Sequence, residues 1–281
     1  MLGAIIGDVA GSYYEVLEVK HLKEYKTSRP YEERIKILDR NVPLFDDFST
    51  YTDDTVLTCA IYDAIKNGNC DYKKYLKEYG LRELELGKDN FNRARFGKGF
   101  VKWLTSDNIG ISYGNGAAMR ISPVGYLFND LTTVQMETVK ATIPSHNNVE
   151  AITGAMAVST AIFLLRNNKS KEEVINYLKE DFYDLEYNLE ELQRNNRFSS
   201  RSSESVPVAL YVFSISTGFE DAIRKAISVG GDSDTIACIV GSLAEACYGV
   251  DENLKEEVKK YLNDDIINLL NSYYGEKEWK K

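Results

Sequence analysis

Histidine is scarce: His21 and His146 are all that 281 residues contain. So few imidazoles exclude a histidine-rich metal centre and any mechanism that needs several of them. Cysteine is scarce too, with Cys59, Cys70, Cys238 and Cys247 in no C-x-x-C pair. Cys59, Cys238 and Cys247 fall inside apolar helical patterns and read as reduced core residues, not as a disulfide framework or zinc site. No apolar run approaches the roughly 20 residues that cross a bilayer. The opening Met1-Leu2-Gly3-Ala4-Ile5-Ile6 has no basic region and is soon interrupted by Asp8, so no signal peptide, no membrane partner and a cytoplasmic location are expected. Positive charge is in deficit, 34 Lys and Arg against 43 Asp and Glu, for a net charge of −9. A surface of that sign repels phosphates and disfavours an extended nucleic-acid groove, while leaving room for a local pocket for one phosphorylated small molecule. The prolines at 30, 43, 123, 144 and 207 are expected at helix breaks.

What is present is helical periodicity. Over 151–165, Ile152, Ala155, Met156, Ser159, Ile162 and Phe163 recur at three- and four-residue spacings. Val258, Tyr261, Leu262, Ile266, Leu269 and Leu270 repeat the pattern near the end, and 54–65, 205–216, 221–229 and 234–248 are further helical stretches. Alternation with period two is sustained nowhere. No Pro/Gly/Ser-rich linker divides the chain, so residues 1–281 are read as one compact all-α domain, an orthogonal helical bundle. The polar segments around 20–50 and 195–205 are expected to be loops, and the Lys-rich tail after about 275 to be disordered.

Two acidic segments stand at helix starts. Thr52-Asp53-Asp54-Thr55 precedes the apolar Val56, Leu57, Cys59, Ala60 and Ile61; Asp232-Ser233-Asp234-Thr235 precedes Ile236, Ala237, Ile239 and Val240. Helix capping is the plain reading of each, because Asp and Thr accept from free backbone N–H groups at the positive helix end. A cap needs one side-chain oxygen, however, and each segment offers two carboxylates and a hydroxyl. Gly230 and Gly231, just before Asp232, permit a tight turn. If the two starts face one another, four carboxylates converge, and hard divalent cations with oxygen ligands would compensate them: magnesium, with manganese as the alternative, and two ions better than one.

Other features carry weaker signals. Gly3, Gly7 and Gly11, four apart, form a flat helical stripe against which another backbone can pack. Glu15 follows, read as a carboxylate at the helix exit beside Tyr13 and Tyr14. The small-residue run from Gly110 through Ser112, Tyr113, Gly114, Asn115 and Gly116 to Met119 and Arg120 leads into a helix; its N–H groups could cradle a diphosphate, or it could be an ordinary connection. His146 is the one histidine near any of these motifs; taken alone, a structural role is the plainer reading, with a binding role as the alternative.

These blocks, in this order, resemble the ADP-ribosylglycohydrolase family, over residues 3–15, 51–59, 96–123, 146–157, 205–209 and 230–249. The resemblance implies a compact all-α fold with a binuclear magnesium centre and hydrolysis of the C1″ glycosidic bond of ADP-ribose attached to a protein side chain or small acceptor. It implies that Thr52, Asp53, Asp54, Asp232, Asp234 and Thr235 ligate the metals, with Glu15 beside them. Catalysis would fall to Glu15, Asp53, Asp54 and Asp234. Substrate would be held by Gly97 or Gly99, Ser112, Tyr113, Gly114, Asn115, Gly116 and Met119, with His146 on the adenosine side. The chain departs from the family's pattern at Asn147, Asn148 and Val149 and at Ser202 and Glu204; Glu204 is expected at the pocket rim, where it could alter acceptor preference. A non-catalytic ADP-ribose-binding, immunity or scaffold relative is the competing expectation, disfavoured because the metal set is intact.

Overall fold

A computed structural model describes residues 1–87 and 96–275. Within them the chain is helical, with no strand and only two isolated β-bridges, Ile111 with His146 and Gly114 with Arg201. The first part holds α1 (Leu2–Tyr25), α2 (Tyr31–Arg34), α3 (Asp53–Lys66), α4 (Tyr72–Glu85) and α5 (Lys98–Leu104). The middle holds α6 (Gly116–Met119), α7 (Ser122–Leu127), α8 (Leu131–His146), α9 (Val149–Arg166), α10 (Lys171–Asp181) and α11 (Leu189–Asn195). The chain continues with α12 (Ser202–Ser214), α13 (Phe219–Ser228), α14 (Ser233–Tyr248), α15 (Glu252–Val258) and α16 (Asp264–Tyr274).

The stretches read at 54–65, 151–165, 205–216, 221–229 and 234–248 correspond to α3, α9, α12, α13 and α14. Four expectations change. The apolar pattern over 258–270 is not one helix: α15 ends at Val258, a 3-10 turn spans Lys259–Tyr261, and Asn263 caps a new helix by accepting from Ile266 N at 2.9 Å. The first helix runs ten residues past Glu15, to Tyr25, so Glu15 projects from mid-helix and 20–25 is no loop. The second polar segment is likewise shorter than expected, because α12 begins at Ser202. Pro144 and Pro207 lie inside α8 and α12. The ring removes one donor and crowds the preceding turn; in α8 this falls two residues before the end. The tail after 275 lies outside the described residues.

One hydrophobic core runs through the molecule, with α14 and α9 at its centre. Helix α9, with a mean hydropathy of 1.5 over 18 residues, is longer and more apolar than any run the sequence was expected to hold. More than half of it is buried inside the protein, the condition of a core helix apolar all round.

The contact that positions everything else is between α1 and α14, which run antiparallel and touch backbone to backbone. A Cβ at Gly3 would strike the Gly241 carbonyl, one at Gly7 the Ala237 carbonyl, and one at Gly11 the Ser233 carbonyl. The glycine stripe thus has a counterpart in Ser233, Ala237 and Gly241 at the same four-residue spacing, and the close approach needs both.

Candidate active site

Asp8 lies between Gly7 and Gly11 of that stripe, fully buried. Its carboxylate reaches across to the start of α3. Oδ2 accepts from Thr52 N at 2.9 Å, Thr55 N at 3.1 Å and Thr55 Oγ1 at 2.5 Å, and Oδ1 accepts from Thr52 Oγ1 at 2.7 Å. Thr52 also caps its own helix, accepting from Asp54 N at 3.3 Å. Capping at α3 is therefore done by Thr52 and by Asp8 from another helix. Asp53 and Asp54 are not needed for it. At α14, Asp232 occupies the cap position without making a side-chain cap bond.

The turn before α14 is set by sterics. Gly230 and Gly231 have φ of +65° and +75°, a region that disfavours any side chain. A Cβ at Gly230 would run into the Arg34 guanidinium, and one at Gly231 would lie 2.9 Å from Asn196 Nδ2. Arg34 is itself buried, paired with Glu18 at 2.5 Å and donating to the Gln193 and Asn196 carbonyls at 3.1 and 2.9 Å. The polar segment around 20–50, expected to be a loop, thus sends a buttress under the second acidic turn.

The result is two groups of three carboxylates sharing one member. Asp8, Asp54 and Asp234 form one, and Glu15, Asp232 and Asp234 the other; within each, one oxygen per residue lies within 4.8 Å of the others. Burial first, and then repulsion from Asp234, pushes Asp8 up to about 7 even against its threonine donors. Asp54 is held well above the ordinary carboxylate range by burial and by Asp8 and Asp234. Asp232 is raised by burial, Asp234 and Glu15, with the bond from Asn115 opposing. Asp54 Oδ1 is buried without a hydrogen-bond partner. Buried polar atoms are seldom left in that condition, and a crowded all-oxygen set is what hard divalent cations select. The residues present therefore fit such ions. Asp53 lines the same cavity but joins neither group; Thr52 Oγ1 and Thr235 Oγ1 each lie 3.3 Å from Asp54 Oδ2.

A cavity of about 1150 Å³ opens from the carboxylates. The small-residue segment lines the same cavity, held extended by neighbours on both sides. Gly110 N donates to the Pro144 carbonyl at 2.9 Å and Asn147 N to the Gly110 carbonyl at 2.8 Å; Asn115 N donates to Ser200 and Ser202 N to Tyr113, at 2.8 and 3.1 Å. Asn115 joins this segment to the carboxylates, its Nδ2 donating to Asp232 Oδ2 at 2.7 Å. His146 backs the turn, 6% exposed, with burial and the Arg120 charge holding its ring well below the ordinary imidazole pKa.

All the site residues expected from sequence border this one cavity: Glu15, the two acidic helix starts, Gly97 and Gly99, the turn from Ser112 to Gly116, Met119 and His146. Glu204 does not line it. Sequence reading missed Asp8, whose signal was a lone carboxylate in an apolar helix start beside the glycine stripe. It also missed the aromatic wall of Phe96, Phe100 and Trp103 and the Glu18–Arg34 buttress.

Such a site, two helix-start carboxylate pairs facing a glycine-lined turn in an all-α frame, belongs to a recognised class. The family model for ADP-ribosylglycohydrolase matches residues 1–281, and the chain belongs to that family of glycosidase-type hydrolases. It is 26% identical to ADP-ribosylhydrolase ARH3 of Homo sapiens, over 95% of this chain and 90% of that one. It is also 26% identical to ADP-ribosylarginine hydrolase Tri1 of Pseudomonas putida (strain GB-1), over 92% and 72%. Among solved structures, an ADP-ribosylglycohydrolase-related protein complex superposes with a TM-score of 0.65 at 18% identity, covering 97% of this chain and 96% of that one; this likeness concerns the fold.

Proposed function

We propose that the chain is a magnesium-dependent hydrolase that cleaves the C1″ glycosidic bond of ADP-ribose conjugated to a protein side chain or small acceptor, with manganese as the alternative metal. One observation carries this reading: the paired three-carboxylate groups and the glycine turn line one cavity and are tied together by Asn115. The cavity volume exceeds the roughly 300–1,000 Å³ usual for small-molecule sites, as an extended dinucleotide-like ligand requires.

Asp54 and Asp234, with Glu15 and Asp232, would hold two divalent ions sharing Asp234. Such ions supply Lewis-acid polarisation and neutralise the clustered charge. Asp8 gives its oxygens to four donors from the α3 start, so its part is to fix Asp54 in place. Asn115 orients Asp232 in the same way. Backbone N–H groups of the turn other than those of Gly114 and Asn115, which donate to Ser112 Oγ and the Ser200 carbonyl, would face the diphosphate, which sets the distal ribose toward the carboxylates. Glu15, half-buried on the cavity wall, would take the attacking water's proton or assist the leaving group, and the net negative surroundings favour an oxocarbenium-like transition state.

The direct test is a panel of Arg-, Ser- and nucleic-acid-linked ADP-ribose, plus O-acetyl-ADP-ribose, incubated with magnesium or with EDTA. Release of ADP-ribose from one class, lost with EDTA, is expected and names the acceptor. Tight ADP-ribose binding in calorimetry without release from any substrate would instead point to a binding protein.

A further inference from the structure

Behind the glycine turn, a chain of polar contacts ends on the His146 ring. Arg120 is fully buried. Its Nη2 donates to the Ala141 carbonyl at 3.2 Å and to Ser145 Oγ at 2.8 Å, while Nε and Nη1 have no hydrogen-bond partner. Ser145 Oγ in turn lies 2.7 Å from His146 Nδ1. A guanidinium has only N–H groups to offer, so Ser145 must accept from Arg120. Its single proton is then free to go to Nδ1, the only other polar atom bonded to Oγ among the described residues. The arrangement that gives the buried hydroxyl proton a partner has Nδ1 as its acceptor, and the proton of a neutral ring then sits on Nε2.

That second nitrogen faces the turn. A Cβ at Gly116 would lie 3.0 Å from Nε2, and one at Gly114 3.8 Å from it. The two glycines leave open the space on that side of the ring, and all three residues border the cavity. No bond to Nε2 exists among the described residues.

We infer that Arg120 and Ser145 fix His146 as the neutral Nε2–H tautomer, a positioned donor for an oxygen of a phosphate lying over Gly114 and Gly116. The identity of that ligand rests on the function proposed above; the tautomer does not. Burial and the neighbouring guanidinium work in the same direction, since both oppose a second proton on the ring. Arg120 and Ser145 are positioning residues here, acting through His146.

The chain's two histidines make the test direct. Long-range proton–nitrogen correlation spectra of the uniformly nitrogen-15-labelled protein, free of ligand at neutral pH, show each ring's protonated nitrogen, and His21→Gln identifies the remaining signal as His146. The expected pattern is Nε2–H with an unprotonated Nδ1; an Nδ1–H tautomer or an imidazolium overturns the inference. Ser145→Ala is expected to give mixed tautomers and to weaken ADP-ribose binding roughly tenfold, about the effect of one hydrogen bond, while Ser145→Thr restores both. ADP-ribose is expected to shift Nε2 on binding; binding that leaves Nε2 unmoved overturns the donor role. If ADP-ribose does not bind at all, the ligand and donor assignments both fall, and the tautomer is still judged on the free protein.

Discussion

At the carboxylate end of the cavity, helices meet backbone against backbone, with α1 and α14 packed through paired small residues and α3 pinned to them by Asp8. At the other end, one extended segment hangs between residues 144–147 and 200–202 on a few main-chain hydrogen bonds. A Cβ at Gly7 would strike the Ala237 carbonyl, and one at Gly110, where the segment is anchored, the Ser145 carbonyl, whereas one at Gly97 or Gly99, at the start of α5 on the cavity wall, meets nothing within 4 Å. The difference agrees with what the proposed function asks each end to hold. Mutually repelling carboxylates stay close only in a frame too tightly packed to relax, whereas a diphosphate brings its own charge to main-chain N–H groups. Those can sit on lightly held loops.

This contrast can be broken at several points. The largest effect is expected from Asp234→Ala, which removes the member common to both carboxylate groups. Release of ADP-ribose should fall by about 1,000-fold or more, with the circular dichroism of the helices unchanged; a fully active variant would sink the proposed site. Next is Gly7→Val, which must push α1 away from α14. A loss on the order of 3 kcal/mol is expected in urea denaturation, while Gly97→Val should leave stability unaltered and show itself only in KM. Equal losses in both would mean that the two ends are not built differently.

If the carboxylates hold divalent ions as proposed, stripping them with EDTA should reveal the strain at the packed end. Because Asp8 has a folded pKa of about 7, above that of the unfolded chain, the native state binds the extra proton between about pH 4 and 7. Stability in EDTA therefore falls as pH rises through that window. A melting temperature lower by on the order of 5 °C at pH 8 than at pH 5 is expected, and magnesium should recover it at pH 8. A metal-free protein that is more stable at pH 8 contradicts the assignment. The smallest effect belongs to the loop end. Arg201 pairs with Glu150 at 2.6 Å and lies 5.1 Å from the Tyr113 ring centroid, on an exposed surface. Arg201→Ala should raise KM by roughly threefold, the scale of an exposed ion pair, without changing kcat.

Much of this was legible in the sequence because the features are local. The acidic helix starts, the glycine stripe, the small-residue turn and His146 are each written in a few consecutive residues, and their common cavity followed from the family's block order. Long-range supports left no such trace. Asp8 reads as an interruption of an apolar run until α3 is placed beside it. Arg34 reads as one more surface charge in a polar stretch until the Gly230 turn is seen to lack room for anything but its guanidinium. The break of the C-terminal pattern between α15 and α16 was invisible for a related reason: periodicity of apolar residues persists across Leu262 and Ile266 although the backbone turns.

The packing of α1 against α14 also sets a timetable. Gly3 and Gly241 touch, yet more than 230 residues of chain separate them, so the first helix leaves the ribosome long before its partner exists. At the usual 5–20 residues per second, that wait is roughly 12 to 48 s. Asp8 has only Thr52 and Thr55 to hold during that interval, and neither carboxylate group can assemble without Asp234. A chain cut short before α14 would have no complete carboxylate group, so on the proposed function nascent protein would not begin hydrolysis before the late helix closes over the early one.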